Sequence, residues 1–571
     1  MEKIKQLRKI LKLNHLEGYI IPKNDEFFNE NVQIHKDRLK NISNFTGSAG
    51  FAIILLKENY LFVDGRYTLQ AQKQCKGKFK IITLPSKSFR KIIKKKLKIG
   101  FDPKLYTSHL LNAYFNNSNF QLKPLNSNLI DQIIKIKKNS IKSKAWLIND
   151  KNSGENYFSK MNKIKKVLIK NKVDMIFISA PECVNWLINI RGADNQFSPI
   201  VNAQMIVNLK GNSILFIDKK KLNKSIEKKF KNINIIDISF LDIFLGKIKK
   251  KRVLIDKFSC SIYYENMLKK NNFVKNEEDY TYYLKSKKNK IEIKNSINSH
   301  FTDGLALTKF LFWLKRNYIN KNLSEIDAEN KLLKFRKQSA KFVSSSFPTI
   351  SATGPNGAVI HYRANKKSNR KLKKGDIYLV DSGGQYKFGT TDVTRTISLN
   401  NNYTKIKNIF TRVLKGHIAV SNFKLSFKTT GSDIDKVARY ALQEINLDYP
   451  HGTGHGVGYF ANVHEGPQAF SKNNKIKIEE GMIISNEPGY YLKNNFGIRI
   501  ENLIYVKKIK NKLKFRNLTL APIDKSLIDK KILNNKEINW INSYHRLIFK
   551  KFERHMNGVE KRDLINACSE L

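Results

Sequence analysis

Five side chains in the C-terminal half are of types that hold cations: Asp381, Asp392, Glu487 and Glu501 offer carboxylates and His455 an imidazole. Tyr378-Leu379-Val380-Asp381 reads as a strand running into Ser382-Gly383-Gly384, a tight turn, and the chain returns through Gly389-Thr390-Thr391-Asp392-Val393-Thr394-Arg395. This is a hairpin pattern in which Asp381 and Asp392 can face each other across two strands. Asp is a poor strand former, so two of them among Val, Ile and Thr need a reason. Taken alone, the pair indicates no more than a turn. His451-Gly452-Thr453-Gly454-His455-Gly456-Val457-Gly458 is rarer. Its glycines permit close backbone approach, and the missing Glu separates it from the HExxH zinc helix. Asn486-Glu487-Pro488-Gly489-Tyr490-Tyr491 sets a carboxylate at the end of the apolar strand Met482 to Ser485, before a Pro-Gly turn. Gly497-Ile498-Arg499-Ile500-Glu501-Asn502 alternates strictly, with Ile498 and Ile500 on one side and Arg499 and Glu501 on the other. By itself that second side reads as a solvated strand face.

The set carries more than its members. Four carboxylates converging with one imidazole would repel one another without compensation. Two divalent ions neutralise them, and oxygen-rich ligation with one nitrogen suits Mn2+ better than a thiolate-type zinc centre does. Two ions roughly 3.5–4 Å apart can share a bridging hydroxide, a nucleophile at neutral pH. The chemistry is metal-assisted hydrolysis. Four of the 11 histidines (His361, His451, His455 and His464) fall within this region, the last in His464-Glu465-Gly466-Pro467.

The positioning elements follow a plan of domains. At about 150 residues per domain, 571 residues predict three to four. A helix over 2–16 (Ile4, Leu7, Ile10, Leu11, Leu16) leads to the strand Gly18 to Pro22, a turn at Phe45 to Gly50 and a hairpin-like pair, Phe51 to Leu56 and Tyr60 to Asp64. The order recurs as a helix over 157–172, a strand at Asp174 to Ile178, a turn at Arg191 to Asp194 and strands over 204–208 and 213–218. Two mixed α/β domains of similar plan, 1–130 and 131–290, are expected, with a polar, turn-rich joint near 125–135 (Pro124, Asn126, Ser127, Asn128). In the third domain, 291–571, Ile293, Ile297, Phe301, Leu305 and Phe312 are spaced for a long buried helix. Ser324-x-x-Asp327 opens a second helix, 324–337, with a capping-box pattern. Ile532, Ile538, Trp540, Ile541 and Leu547 predict a docking helix within Leu527 to Phe552, and the residues from Asn557 give no strong packing signal.

Composition excludes several classes. The chain is 41% apolar and 11% aromatic, so its bulk is neither disordered nor collagenous. No apolar run approaches 18 residues, and no small-residue cleavage site follows the Lys- and Arg-bearing start, so neither a spanning helix nor a secretory signal is expected. The four cysteines (Cys75, Cys183, Cys260, Cys568) are far apart, which disfavours a disulfide framework and fits a reducing cytoplasm. Lys and Arg number 106 against 48 acidic residues, a formal charge of +58. Such an excess usually points to nucleic acid or a membrane surface. Here the lysines spread over nearly the whole chain beside Asn and Ile, as AT-rich codons would supply them, so no specific nucleic acid and no membrane is expected. Phe342 to Tyr362, Asp376 to Tyr386, His451 to Phe470 and Ile478 to Leu492 contain no Lys or Arg, and they hold most of the candidate chemistry.

Asp381, Asp392, His455, Glu487 and Glu501 resemble the five-ligand signature of the pita-bread metallopeptidases. Phe45-Thr46-Gly47-Ser48-Ala49-Gly50, Val63-Asp64-Gly65-Arg66-Tyr67, the His451 to Gly458 segment and Asn462-Val463-His464-Glu465-Gly466-Pro467 are similar to the long, three-domain cytosolic Xaa-Pro aminopeptidases of that family. The resemblance implies an α/β (α+β) chain of two creatinase/ribonuclease-H-like N-terminal domains and a C-terminal pita-bread domain. It implies a metal-dependent aminopeptidase that cuts the N-terminal Xaa-Pro bond of peptides, cytoplasmic and homodimeric, with two divalent ions, Mn2+ first. Asp381 would chelate one ion, Asp392 and Glu501 would bridge both, and His455 and Glu487 would hold the other. Glu487 would also relay protons, His361 would lie near the leaving nitrogen, and His451 and His464 would donate to the developing oxyanion. Tyr491 and Arg499 would support the substrate. The alternatives are a prolidase acting on Xaa-Pro dipeptides, a non-catalytic binding scaffold, which the presence of all five residues opposes, and a basic nucleic-acid binder.

Overall fold

The computed structural model describes residues 2–75, 77–84, 92–134, 143–400 and 403–571. Two compact units divide the chain, Met1–Leu284 and Lys285–Leu571.

The first unit holds two six-stranded sheets built to one plan. One runs in the order Lys80–Leu84, Asn59–Asp64, Phe51–Leu55, Gly18–Pro22, Leu97–Phe101, Phe120–Pro124; the other runs Ile233–Asp237, Ser213–Ile217, Ala203–Asn208, Met175–Ile178, Arg252–Asp256, Phe273–Glu277. From one end, the pairings in each sheet are parallel, antiparallel, antiparallel, parallel, parallel. The repeat legible in the sequence is therefore a repeat of topology. The central strands Gly18–Pro22 and Phe51–Leu55 are buried at every residue, which is why they read as unbroken apolar runs. Glu2–Leu13 lays Ile4, Leu7 and Leu11 on the first sheet, and Tyr157–Asn171 lays Met161, Ile164 and Leu168 on the second. The polar stretch expected as a joint holds more than a joint. Asn128 caps the helix Leu129–Ile133 by accepting from the Ile130 N–H at 2.9 Å, and Leu129 and Ile130 enter the first core. Asn128 there is a capping residue, a role that composition does not separate from a linker's. Residues 135–142 lie outside the described residues.

In the second unit, the strands Ile350–Thr353, Ile377–Ser382 and Val393–Ser398 form one small sheet, and Phe342–Ser345, Gly384–Tyr386 and Gly389–Thr390 another. A five-stranded sheet follows the order Glu465–Phe470, Gly454–Gly456, Ile483–Asn486, Asn502–Ile509, Lys512–Asn517, and Gly489–Leu492 pairs with Phe496–Arg499. The helices Lys290–Asn317, Glu325–Lys337, Thr404–Ser421, Gly431–Gln443 and Asn535–Phe552 cover these sheets' apolar faces. The capping box of Ser324 with Asp327 is formed.

Two expectations shift. Lys290–Asn317 is the long helix, but Ile297 is 43% exposed, and the buried face of its first half is Glu292, Ser296, Ser299, His300, Asp303 and Gly304. That polar face is tenable because Asp303 accepts from Arg336 Nε at 2.7 Å and from the Tyr386 hydroxyl at 2.8 Å. Beyond Asn557, Gly558–Cys568 is a helix that buries Leu564, a single anchor too sparse to make a periodic signal.

Candidate metal centre

Strand alternation aims the acids. Tyr378, Val380, Val393 and Ile397 pack with Leu307, Phe310, Leu311 and Leu314 of the long helix, which turns Asp381 and Thr394 to the opposite face. Thr394 is the residue paired with Asp381. Asp392, two residues before Thr394, is therefore the diagonal neighbour of Asp381 on the same face and not its direct partner. The expected tight return at Ser382-Gly383-Gly384 is also longer than predicted, because Gly384–Tyr386 and Gly389–Thr390 extend the hairpin before it closes. Ile498 and Ile500 pack against Phe410, Val413 and Leu414. The face they leave to Arg499 and Glu501 is not solvated: each of the two is 1% exposed.

Asp392, His455, Glu487 and Glu501 meet. One oxygen each from Asp392 and Glu501 and one His455 ring nitrogen lie within 4.8 Å of one another. His455 Nε2 is 3.5 Å from both Asp392 Oδ2 and Glu487 Oε1. Asp381 is tied in through Arg499, whose Nη2 donates to Asp381 Oδ2 at 2.6 Å while its Nε donates to Thr394 Oγ1 at 3.1 Å. The Thr394 hydroxyl donates in turn to Glu501 Oε2 at 2.8 Å. His455 Nδ1 lies 2.9 Å from the Gly456 carbonyl oxygen, which can only accept, so in the neutral ring Nδ1 carries the proton and Nε2 presents its lone pair to the carboxylates. The segment bearing His455 lies against the strand that leads to Glu487, since a Cβ on Gly454 would fall 1.8 Å from the Ser485 carbonyl oxygen.

Charge makes the arrangement costly as it stands. Burial, then the negative charges of Asp381 and Glu487, pushes the Asp392 carboxyl well above its ordinary range. Burial, then Asp392, Glu487 and Asp381, does the same to Glu501. Burial also raises Glu487, against the lowering pull of His455 and Arg499. Arg499 is the strong cation facing them; burial opposes its charge, and Tyr491, Asp381 and Glu487 more than restore it. Asp381 Oδ1, Asp392 Oδ1 and Glu501 Oε1 are buried with no hydrogen-bond donor. Buried oxygens without donors, on mutually repelling carboxylates beside an imidazole lone pair, are what hard divalent cations satisfy. The donor set fits the metal pair.

The other predicted residues sit around this core. The His464 ring, exposed, is 4.2 Å centre to centre from that of His455. His451 has partners on both nitrogens, the Gly452 carbonyl oxygen at 2.7 Å from Nδ1 and the Tyr491 hydroxyl at 2.9 Å from Nε2. Tyr491 also accepts from Arg499 Nη1 at 2.7 Å, and burial raises its phenol to about 12. His361, half-buried, follows the turn Gly354–Ala358, whose Gly357 packs on Gly497: a Cβ there would lie 1.8 Å from the Gly357 oxygen.

Residues 299–508 match metallopeptidase family M24 and 511–571 the C-terminal region of that family, while 3–133 and 136–292 each match a creatinase/prolidase N-terminal domain. Xaa-Pro aminopeptidase 1 of Dictyostelium discoideum is 35% identical over 99% of this chain and 95% of its own. The chain belongs to metallopeptidase family M24. Aminopeptidase P2 of Arabidopsis thaliana is 34% identical over 95% of this chain and 84% of its own. The solved X-prolyl aminopeptidase of Caenorhabditis elegans, described as a cytosolic enzyme with a di-nuclear active site, superposes with a TM-score of 0.93 at 29% identity, covering 100% of this chain and 99% of that one. Two creatinase-type N-terminal regions followed by a pita-bread metallopeptidase domain are thus the architecture.

The sequence reading passed over Ser485 and the residues beneath the glycine-rich segment. Ser485 Oγ accepts from the His455 N–H at 2.9 Å and donates to Glu487 Oε1 at 3.1 Å. Its position two residues before Glu487, on the same strand face, was the available signal.

Proposed function

We propose that this chain is a metal-dependent aminopeptidase that removes the N-terminal residue from peptides carrying proline second. The observation that carries the reading is the meeting of Asp392, His455, Glu487 and Glu501, with Asp381 joined to them through Arg499 and three carboxylate oxygens of the set buried without donors. Asp381 would hold one divalent ion, Asp392 and Glu501 both, and His455 and Glu487 the other. Such ions supply a nucleophile at neutral pH and polarise the scissile carbonyl. Glu487, partly open with 19% of its side chain exposed, takes the proton of the attacking water and returns it to the departing nitrogen. That nitrogen is tertiary when proline follows, so it has no N–H to recognise and must be protonated to leave. His361 stands by the leaving nitrogen, His464 donates to the developing oxyanion, and His451, whose Nδ1–H is held by the Gly452 carbonyl, donates there from Nε2 in its imidazolium form in place of its Tyr491 contact. Tyr491 and Arg499 orient the substrate.

The finer features belong to the same reading. Oxygen-rich ligation favours Mn2+. Free cysteines, three of them buried, and a relative described as cytosolic support a cytoplasmic location; no described helix is long and apolar enough to cross a membrane. A homodimer rests on resemblance alone. The domain limits 1–130, 131–290 and 291–571 are proposed on the strength of the family matches.

The test strips the protein with chelator, restores Mn2+ and offers Xaa-Pro-Xaa, Xaa-Ala-Xaa and the Xaa-Pro dipeptide. Turnover confined to the first supports the reading. Equal turnover of the proline and alanine tripeptides overturns the specificity, and preference for the dipeptide makes the protein a prolidase.

A further inference from the structure

The segment that carries His451 and His455 is rich in glycine, and glycine has little intrinsic preference for one backbone conformation, so its shape must be imposed from outside. The helix Gly431–Gln443 lies beneath it, started by a capping box of Thr430 with Asp433. One turn apart on its buried face are Asp435 and Arg439, 1% and 3% exposed.

Every N–H of the Arg439 guanidinium is used. Nε and Nη2 donate to the two Asp435 oxygens at 2.8 and 3.0 Å. Nη1 donates to Asp448 Oδ1 at 2.6 Å and to the Tyr449 carbonyl at 2.9 Å, and Nη2 donates to the His451 carbonyl at 2.5 Å. The guanidinium carbon also sits 4.0 Å from the centre of the Tyr449 ring. Asp435 Oδ1 reaches the other end of the segment, accepting from Thr453 Oγ1 at 2.7 Å and from the Thr453 N–H at 3.2 Å. The Thr453 carbonyl then accepts from the Glu487 N–H at 2.8 Å. One ion pair on one helix thereby holds both the backbone that presents His451 and the backbone that presents Glu487.

We infer that Asp435 and Arg439 are positioning residues for the proposed hydrolysis, acting as a clamp that fixes His451 and Glu487 relative to each other. The inference rests on the proposed function for its kinetic consequence but not for the clamp itself. A fork of five planar donors cannot be replaced by a lysine ammonium, which has three and no fixed plane. Arg439→Lys keeps Asp435 charge-paired and releases the carbonyls of Tyr449 and His451, so it separates geometry from charge.

The experiment compares the Mn2+-loaded full chain with Arg439→Lys in two ways, by steady-state kinetics on an Xaa-Pro-Xaa peptide and by hydrogen exchange at the Thr453 and Glu487 amides. The clamp predicts that those two amides exchange at least ~10-fold faster, and that kcat per metal-loaded site falls ~10- to 100-fold with KM changed by less than ~3-fold, as misplacement of reacting groups produces. Unchanged exchange overturns the clamp. Faster exchange with unchanged kcat per site overturns the positioning role and leaves a structural one. If the parent cleaves no Xaa-Pro peptide, the proposed function fails, and exchange alone still decides whether Arg439 holds the segment. Should Arg439→Lys not fold, Asp448→Asn, whose side chain is 36% exposed, loosens the same clamp from its outer side and is read by the same two measurements.

Discussion

Asp392 illustrates how a residue can be right for a bound cation and wrong for the fold without one. Its carboxyl is buried among like charges, with Oδ1 lacking a donor. Replacing it with the isosteric amide removes repulsion and offers N–H donors to the orphaned oxygens of its neighbours. Asp392→Asn should therefore leave the thermal midpoint of chelator-treated protein unchanged or higher, while lowering kcat/KM with Mn2+ by at least ~10³-fold, about 4 kcal/mol of transition-state stabilisation. A marked fall in the metal-free midpoint would show that Asp392 is a structural acid. The four acids and the imidazole were legible because strand-end carboxylates are chemically out of place. The burial of Arg499 and Glu501 was not, since alternation fixes which residues share a face but not what lies over it.

At the scale of elements, periodicity located the helices and strands and stopped short of their partners. The long helix Lys290–Asn317 was found through its apolar residues, yet its first half buries polar ones, whose partners Arg336 and Tyr386 come from elsewhere in the chain. Asp435 and Arg439 escaped notice for the same reason: an Asp–Arg pair four apart on a helix is ordinary on a surface, and only the tertiary structure shows it buried. Backbone-to-backbone packing is likewise invisible in a one-dimensional pattern. The strand Phe496–Arg499 touches the turn leading to His361 at Gly497. Gly497→Ala would put a Cβ 1.8 Å from the Gly357 oxygen, so one of the two elements must move. The expected result is a loss of ~1–3 kcal/mol in denaturant unfolding together with a fall in kcat, since Arg499 and His361 flank the displaced contact. Full retention of both would mean that the contact is slack.

For the molecule as a whole, the plan of two similar α/β regions and a catalytic one was readable, because the repeat in the sequence corresponds to a repeat in strand order. The charge of +58, taken over the whole chain, does not locate the site. Its informative part was local: three of the four stretches free of Lys and Arg supply Asp381, His455 and Glu487, where an extra cation would compete with a metal for the same oxygens. The central claim is that these side chains hold two divalent ions, and metal analysis of active protein after dialysis from excess Mn2+ measures it most directly. Two ions per chain, lost in parallel with activity on chelation, are predicted; full activity from protein carrying none would contradict the account.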